Sequence, residues 1–189
     1  MVRITFSLLS IATLLAGAVS LLTETTEPAL DFSPGEGLPS LEELGLTTAD
    51  LLKPIPEETL AAIRAEYESI SPSEESGLVR RYDPVCHDGR IPLADANACY
   101  NYLNSLGTTV CRVPEGTGGY GGINMCRIGS SYVIGGCIGA ECPASSHCRD
   151  VAHAVAWVMS HCNVANRVGG SQAARGNGHL IVGVQNWSA

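Results

Sequence analysis

Eight cysteines, all between Cys86 and Cys162, constrain this chain more than any other feature. The successive gaps hold 12, 11, 14, 10, 4, 5 and 13 residues. No CxxC pair occurs and the histidines do not stand at finger spacing, which argues against zinc. An even count of thiols at irregular intervals reads as a disulfide framework of four bridges, and spacing leaves their connectivity open among about 105 pairings. Such frameworks belong to the oxidising, extracellular route.

The stretch Ser146 to Cys162, SHCRDVAHAVAWVMSHC, organises the rest. Cys148, Ala152, Val155, Met159 and Cys162 fall at i, i+4, i+7, i+11 and i+14, so they share one face of a helix. Both thiols then point the way the apolar seam points. Asp150 lies in the first turn, where a carboxylate offsets the positive end of the helix dipole.

The front of the chain differs in composition. Residues 1–81 hold 5 basic and 13 acidic side chains, a net of −8, while residues 82–189 hold 6 of each and sum to zero. The cysteine-rich part is neutral and lacks Lys, so it has no electrostatic footprint for nucleic acid and no polybasic membrane patch. Residues 1–20 read as a secretory signal peptide: Arg3, an apolar run from Phe6 to Leu15, then small-residue cleavage patterns at Ala16 to Ser20. That run is too short for a stable membrane span. Residues 21–81 read as an acidic propeptide or a disordered extension, ending at the dibasic pair Arg80-Arg81, which resembles a processing site for a Golgi subtilisin-like protease of fungi. Within it, Pro56 to Ile70 has the pattern of an amphipathic helix, with Leu60, Ile63, Tyr67 and Ile70 on one side.

Residues 82–189 read as one cysteine-rich α+β domain. His87 to Arg90 is expected to turn, and Ile91 to Leu106 to form a helix stopped by Gly107. Strands are expected over Thr108–Val113, Ile123–Ile128, Ser131–Ile138 and His179–Gln185. Loops are expected over Gly139–Ser145 and Asn163–Asn177.

Catalytic patterns are sparse. Gly116 to Gly121 matches GxGxxG, but Ile123–Ile128 reads as a strand, whereas a dinucleotide site needs a helix there. A hairpin loop with Tyr120 at its tip as a contact residue is the better reading. His153, Trp157 and His161 lie on one side of the second helix, as a solvated, partner-binding or proton-sensitive face. Gly169 to Ala173 resembles a nucleophile elbow, but no Asp follows it. Glu115 with His179 would be a ribonuclease-like pair, with no spacing to support it. Asn186-Trp187-Ser188 is a glycosylation sequon at the C-terminus. Arg112, Arg127, Arg167 and Arg175 are partner-binding candidates, since isolated cations in a neutral surface give directional pairing.

The order of these pieces resembles the fungal killer-toxin-like and necrosis-inducing small secreted effectors. The resemblance spans residues 82–189. It rests on Cys99 in the seam of the first helix, TTVC at 108–111, MCRIGSSYVIGGC at 125–137, CRDVAHAVAWVMSHC at 148–162, VGGS, and a terminal GHLIVGV. The resemblance implies a small antiparallel sheet with two helices on one face. It implies bridges Cys99–Cys148, Cys111–Cys137 and Cys86–Cys162, leaving Cys126–Cys142. It further implies a secreted, non-enzymatic effector without cofactor or metal, a monomer acting on an extracellular host target. The alternatives are a killer-toxin-like protein against competing microbes and a small extracellular ribonuclease-like hydrolase.

Overall fold

The computed structural model describes residues 30–69, 82–117, 122–138 and 142–186. The signal-peptide reading, Arg80, Arg81, Tyr120, Trp187 and Ser188 lie outside the described residues.

The N-terminal segment contributes strand β1 (Phe32–Pro34) and helices α1 (Thr48–Leu51) and α2 (Glu57–Ser69). The cysteine-rich part then runs β2 (Val85–Pro92), α3 (Leu93–Ser105), β3 (Val110–Val113), β4 (Ile123–Ile128) and β5 (Ser131–Cys137). It ends with β6 (Ala144–His147), α4 (Cys148–His161), β7 (Asn163–Val164), β8 (Arg167–Ala173) and β9 (Leu180–Asn186). A seven-stranded antiparallel sheet has the order β1-β4-β5-β9-β8-β2, with β7 also on β8. β3 and β6 form a separate two-stranded sheet. The architecture is α+β and disulfide-stapled.

Both α3 and α4 cover one face of the large sheet. Val133, Val182 and Val184 are fully buried beneath them, while Tyr132, Ile134, Ile181 and Gln185, at the alternate positions, stay partly open on the other face. The Ser131 hydroxyl donates to Asp95 Oδ2 (2.5 Å), fastening β5 to the first turn of α3. The seam read from the sequence is buried throughout, from Cys148 to Cys162. Val151, Ala154, Ala156 and Val158 are buried too, because α4 packs against α3, α2 and the sheet at once. A helix enclosed on three sides needs apolar residues nearly all round.

The segment 30–69 is folded onto the domain, which corrects the disordered-extension reading. β1 extends the sheet at the edge of β4, with Phe32 opposite Ile128. Leu51 is buried beside α3, and Ile63 and Tyr67 are buried against the domain on α2.

The two helices of the domain and the strands β4, β5 and β9 lie within a residue or two of where the sequence places them. Other elements differ. The 163–177 stretch holds strands β7 and β8, and its Gly169 and Gly170 are positions of close approach: a Cβ on Gly169 would lie 3.0 Å from the His87 carbonyl oxygen. His87–Arg90 is an irregular bulge inside β2, whose register jumps between Cys86 (opposite Gly170) and Ile91 (opposite Val168). The 139–145 stretch ends in β6, and β3 pairs with that strand instead of joining the main sheet.

That topology corrects three of the implied bridges. Cys86–Cys162 is as the resemblance implies. Cys99 pairs with Cys126, not Cys148: α3 touches both α4 and β4, and the Cys148 sulfur is already taken by Cys111. Cys111 pairs with Cys148, not Cys137: β3 lies along β6, Cys111 stands opposite Ser146, and β6 leads straight into α4. Cys137 closes a short loop onto Cys142, so Cys126–Cys142 does not form. No free cysteine remains, so no thiol is left to hold a metal.

Candidate functional site

The helix-free face of the sheet carries a groove of about 540 Å³. Its floor follows from strand register. Ile134, Gly183 and Ser171 form one row across β5, β9 and β8, and Gly136, Ile181 and Ala173 form the next. Each row has a glycine where a side chain would otherwise fill the surface. A Cβ on Gly183 would stand 3.0 Å from Ile134 Cγ1, so a side chain there would crowd the neighbouring isoleucine. A Cβ built on Gly136 meets no atom within 4 Å. Gly136 therefore opens the groove without being required by the fold.

Two side chains border the trough from the β2 side. The Tyr82 hydroxyl shares a hydrogen bond of 2.5 Å with Ser171 Oγ, fixing the chain ahead of β2 across the end of the groove. The bulge in β2 brings His87 to the lining. Asp88 and Arg90 pair within that bulge at 2.8 Å, and the Arg167 guanidinium donates to the Arg90 carbonyl. Burial, with the Arg90 charge adding to it, lowers the His87 pKa below its ordinary value, against opposing pulls from Asp88 and a hydrogen bond with the Gly170 backbone. At neutral pH His87 is therefore a neutral imidazole, able to donate from one nitrogen and accept at the other.

The lining thus combines three isoleucines (Ile134, Ile138 and Ile181), an aromatic ring at Tyr82, an amide at Gln185, the Ser171 hydroxyl and a neutral imidazole. No Asp, Glu, Lys or Arg lines the groove among the described residues. Such a surface suits an uncharged, partly apolar ligand held by a few hydrogen bonds.

The residues singled out from the sequence are dispersed. Tyr120 lies outside the described residues, although Gly122, two positions on, lines the groove. Arg127, on β4, reaches Asp31 at 3.8 Å; Arg175 pairs with Glu66; Arg167 is tied to Arg90. Arg112 is exposed on β3. The four arginines sit on separate elements and do not form one binding face. Glu115 lies in the exposed turn after β3, and His179 stands just before β9. Asn186 is the exposed last residue of β9.

The face of α4 that holds His153, Trp157 and His161 is divided. Trp157 and His161 stack with ring centroids 4.3 Å apart. His153 is instead partly covered by α2, with Nδ1 3.6 Å from Glu66. Burial, the largest influence, pushes the His153 pKa down; Asp150 raises it and Arg149 lowers it further. Desolvation outweighs the Glu66 contact here, because 3.6 Å is long for a charge-assisted hydrogen bond.

Among the described residues no helix is long and apolar enough to cross a membrane, and no cluster of His, Cys, Asp and Glu has the makings of a metal site. The groove was hidden in the sequence because glycines define it. The alternation of Ile181, Gly183 and Gln185 with Leu180, Val182 and Val184 was the available cue, since it shows a face of β9 that the helices do not cover.

No curated protein and no solved structure matches the chain. A family model described as a domain of unknown function, DUF8794, matches residues 83–186, which include every cysteine and none of the segment 30–69, and the chain belongs to that family.

Proposed function

We propose that the protein is a secreted, non-enzymatic effector that acts outside the producing cell by holding an uncharged host ligand in the groove on the open sheet face. The groove itself carries this reading. It is set in a sheet that anchors three of the four bridges, its lining is neutral, and its floor has an unfilled position at Gly136. The bridges fit an oxidising compartment, and the apolar start of the chain, read as an export signal, agrees with that. The resemblance to fungal small secreted effectors supplies the host as the target.

The test applies the protein to leaf tissue and, separately, to cultures of competing fungi. Wild type and Gly136→Val are compared, the valine filling the groove at a position that tolerates it. The expected result is a leaf response that the valine abolishes while both forms melt alike. An undiminished leaf response from Gly136→Val would overturn the groove assignment. Growth inhibition of the cultures alone would replace the effector reading with the killer-toxin-like one, and RNA turnover lost in His179→Ala would replace it with the hydrolase.

A further inference from the structure

The segment 30–69 holds to the domain by contacts that do not depend on chain continuity. It contains no cysteine, so no covalent tie holds it apart from the linking chain. It also lies outside the part of the chain that defines the family.

Its grip has three parts. First, β1 adds to the open edge of β4, and the Gly35 N–H continues the ladder by donating to the Met125 carbonyl (3.1 Å). A Cβ on Gly35 would lie 2.5 Å from the Asn124 carbonyl oxygen and 2.8 Å from Met125 Cα, so backbone meets backbone there and only glycine fits. Second, α3 reads main-chain carbonyls. Asn97 and Asn101, one helical turn apart, both donate to the carbonyls of Leu51 (3.4 and 2.8 Å) and Lys53 (2.9 and 2.7 Å). The next residue, Tyr102, donates its hydroxyl to the Pro39 carbonyl (2.7 Å), and its ring meets Phe32 edge-on. Leu51, between these contacts, is 1% exposed and serves as the apolar anchor. Third, α2 lies on α4: Tyr67 donates to the Ala173 carbonyl (3.3 Å), and Glu66 pairs with Arg175.

A strand on a sheet edge, carbonyls gripped by amides and a buried leucine are the means by which proteins bind separate peptides. We propose that the β4 edge, α3 and the α4–Arg175 flank form a peptide-docking surface whose occupant is the chain's own segment 30–69. When the chain is cut at Arg80-Arg81, that segment stays bound as a second, non-covalent chain. Three linked contact regions hold far more tightly than any one of them, because each raises the effective concentration of the others. Cleavage then does not by itself release the domain. None of the segment lines the groove on the open face, so failure of the ligand assignment there leaves this proposal untouched.

The test uses the full chain, cut at the dibasic pair by a dibasic-specific protease. Native size exclusion and native mass spectrometry at about micromolar concentration should show both pieces in one particle, separating only in denaturant. An isotope-labelled synthetic peptide of residues 30–69 should exchange into the cut protein. The same peptide with Gly35→Val should compete at least about tenfold more weakly, a loss of about 1.4 kcal/mol. In the cut protein Asn97→Ala with Asn101→Ala should speed loss of the segment by about tenfold or more. The peptide variant leaves the domain untouched, so misfolding cannot mimic its effect. Separation of the pieces in native buffer, or equal competition by the Gly35→Val peptide, would overturn the proposal.

Discussion

Gly170→Ala is the sharpest test of how the sheet is built around the bridges. Gly170 lies on β8 opposite Cys86, under the Cys86–Cys162 bridge. A Cβ there would stand 2.5 Å from the Val85 carbonyl oxygen and 2.9 Å from Cys162 Sγ. Neither atom can give way alone: one is backbone of the paired strand, and the other is held to β2 through sulfur and to the end of α4 through its own chain. Overpacking of this kind costs about 1–3 kcal/mol. Alanine recovers less than about 1 kcal/mol by restricting the unfolded chain. With unyielding neighbours on two sides the upper end of the range applies, and the net loss should be about 2 kcal/mol. In a domain of this size that lowers Tm by roughly 5–10 °C. Gly136→Ala is the matched control, since its methyl group enters open space, and it should stay within about 0.5 kcal/mol of wild type. Thermal unfolding followed by circular dichroism measures both. If residues 163–177 were a surface loop, the two variants would melt alike, and that result would refute the packing argument.

Three further outcomes follow from the same geometry. In the loop-entropy view, replacing both Cys86 and Cys162 by Ala removes about 4.5 kcal/mol, while replacing Cys137 and Cys142 removes about 2 kcal/mol, because the closed loops differ in length; denaturant titration of the two variants should rank them in that order. NMR titration of His87 should find its pKa below 6.5, with burial the main cause. Because the folded form then binds fewer protons than the unfolded chain, the His87 contribution is intact above about pH 6.5 and fades as pH falls through the folded value; His87→Gln should flatten that limb. Tyr82→Phe removes the partner of Ser171 Oγ and should cost about 1 kcal/mol, read by chemical denaturation.

Much of the fold was legible where the burial pattern has a simple period. The seam of α4 and the helical spacing before Gly107 gave both helices of the domain, the Gly129-Ser130 joint marked β4 and β5 on either side of it, and alternation gave β9. The rest was concealed for identifiable reasons. Gly169 and Gly170 look like loop residues, yet they sit in a strand because a neighbouring strand and a disulfide crowd their Cα atoms. The β2 strand carries its bulge at His87–Arg90, so a real departure from the ladder masked the pairing on either side of it. Cystine pairing depended on which strands are neighbours, and β3 left the main sheet for β6, which no spacing between thiols reports. The groove lay beyond reach for a related reason. Its shape is set by side chains that are absent, at Gly136 and Gly183, in rows that exist only once β5, β9 and β8 are in register. The acidic composition of the front segment suggested a solvated tail; the apolar side of its helix, Leu60, Ile63 and Tyr67, was legible, but Leu30, Phe32, Leu38, Leu41, Leu44 and Leu51 reach the core from short, irregular pieces of chain that follow no single period.

The most direct measurement is peptide mapping of the exported protein under non-reducing conditions. A chain folded around α4 as described must yield Cys86–Cys162, Cys99–Cys126, Cys111–Cys148 and Cys137–Cys142, with no free thiol. Recovery of Cys99 joined to Cys148, or of unpaired cysteines, would contradict the strand order on which both the groove and the docked segment depend.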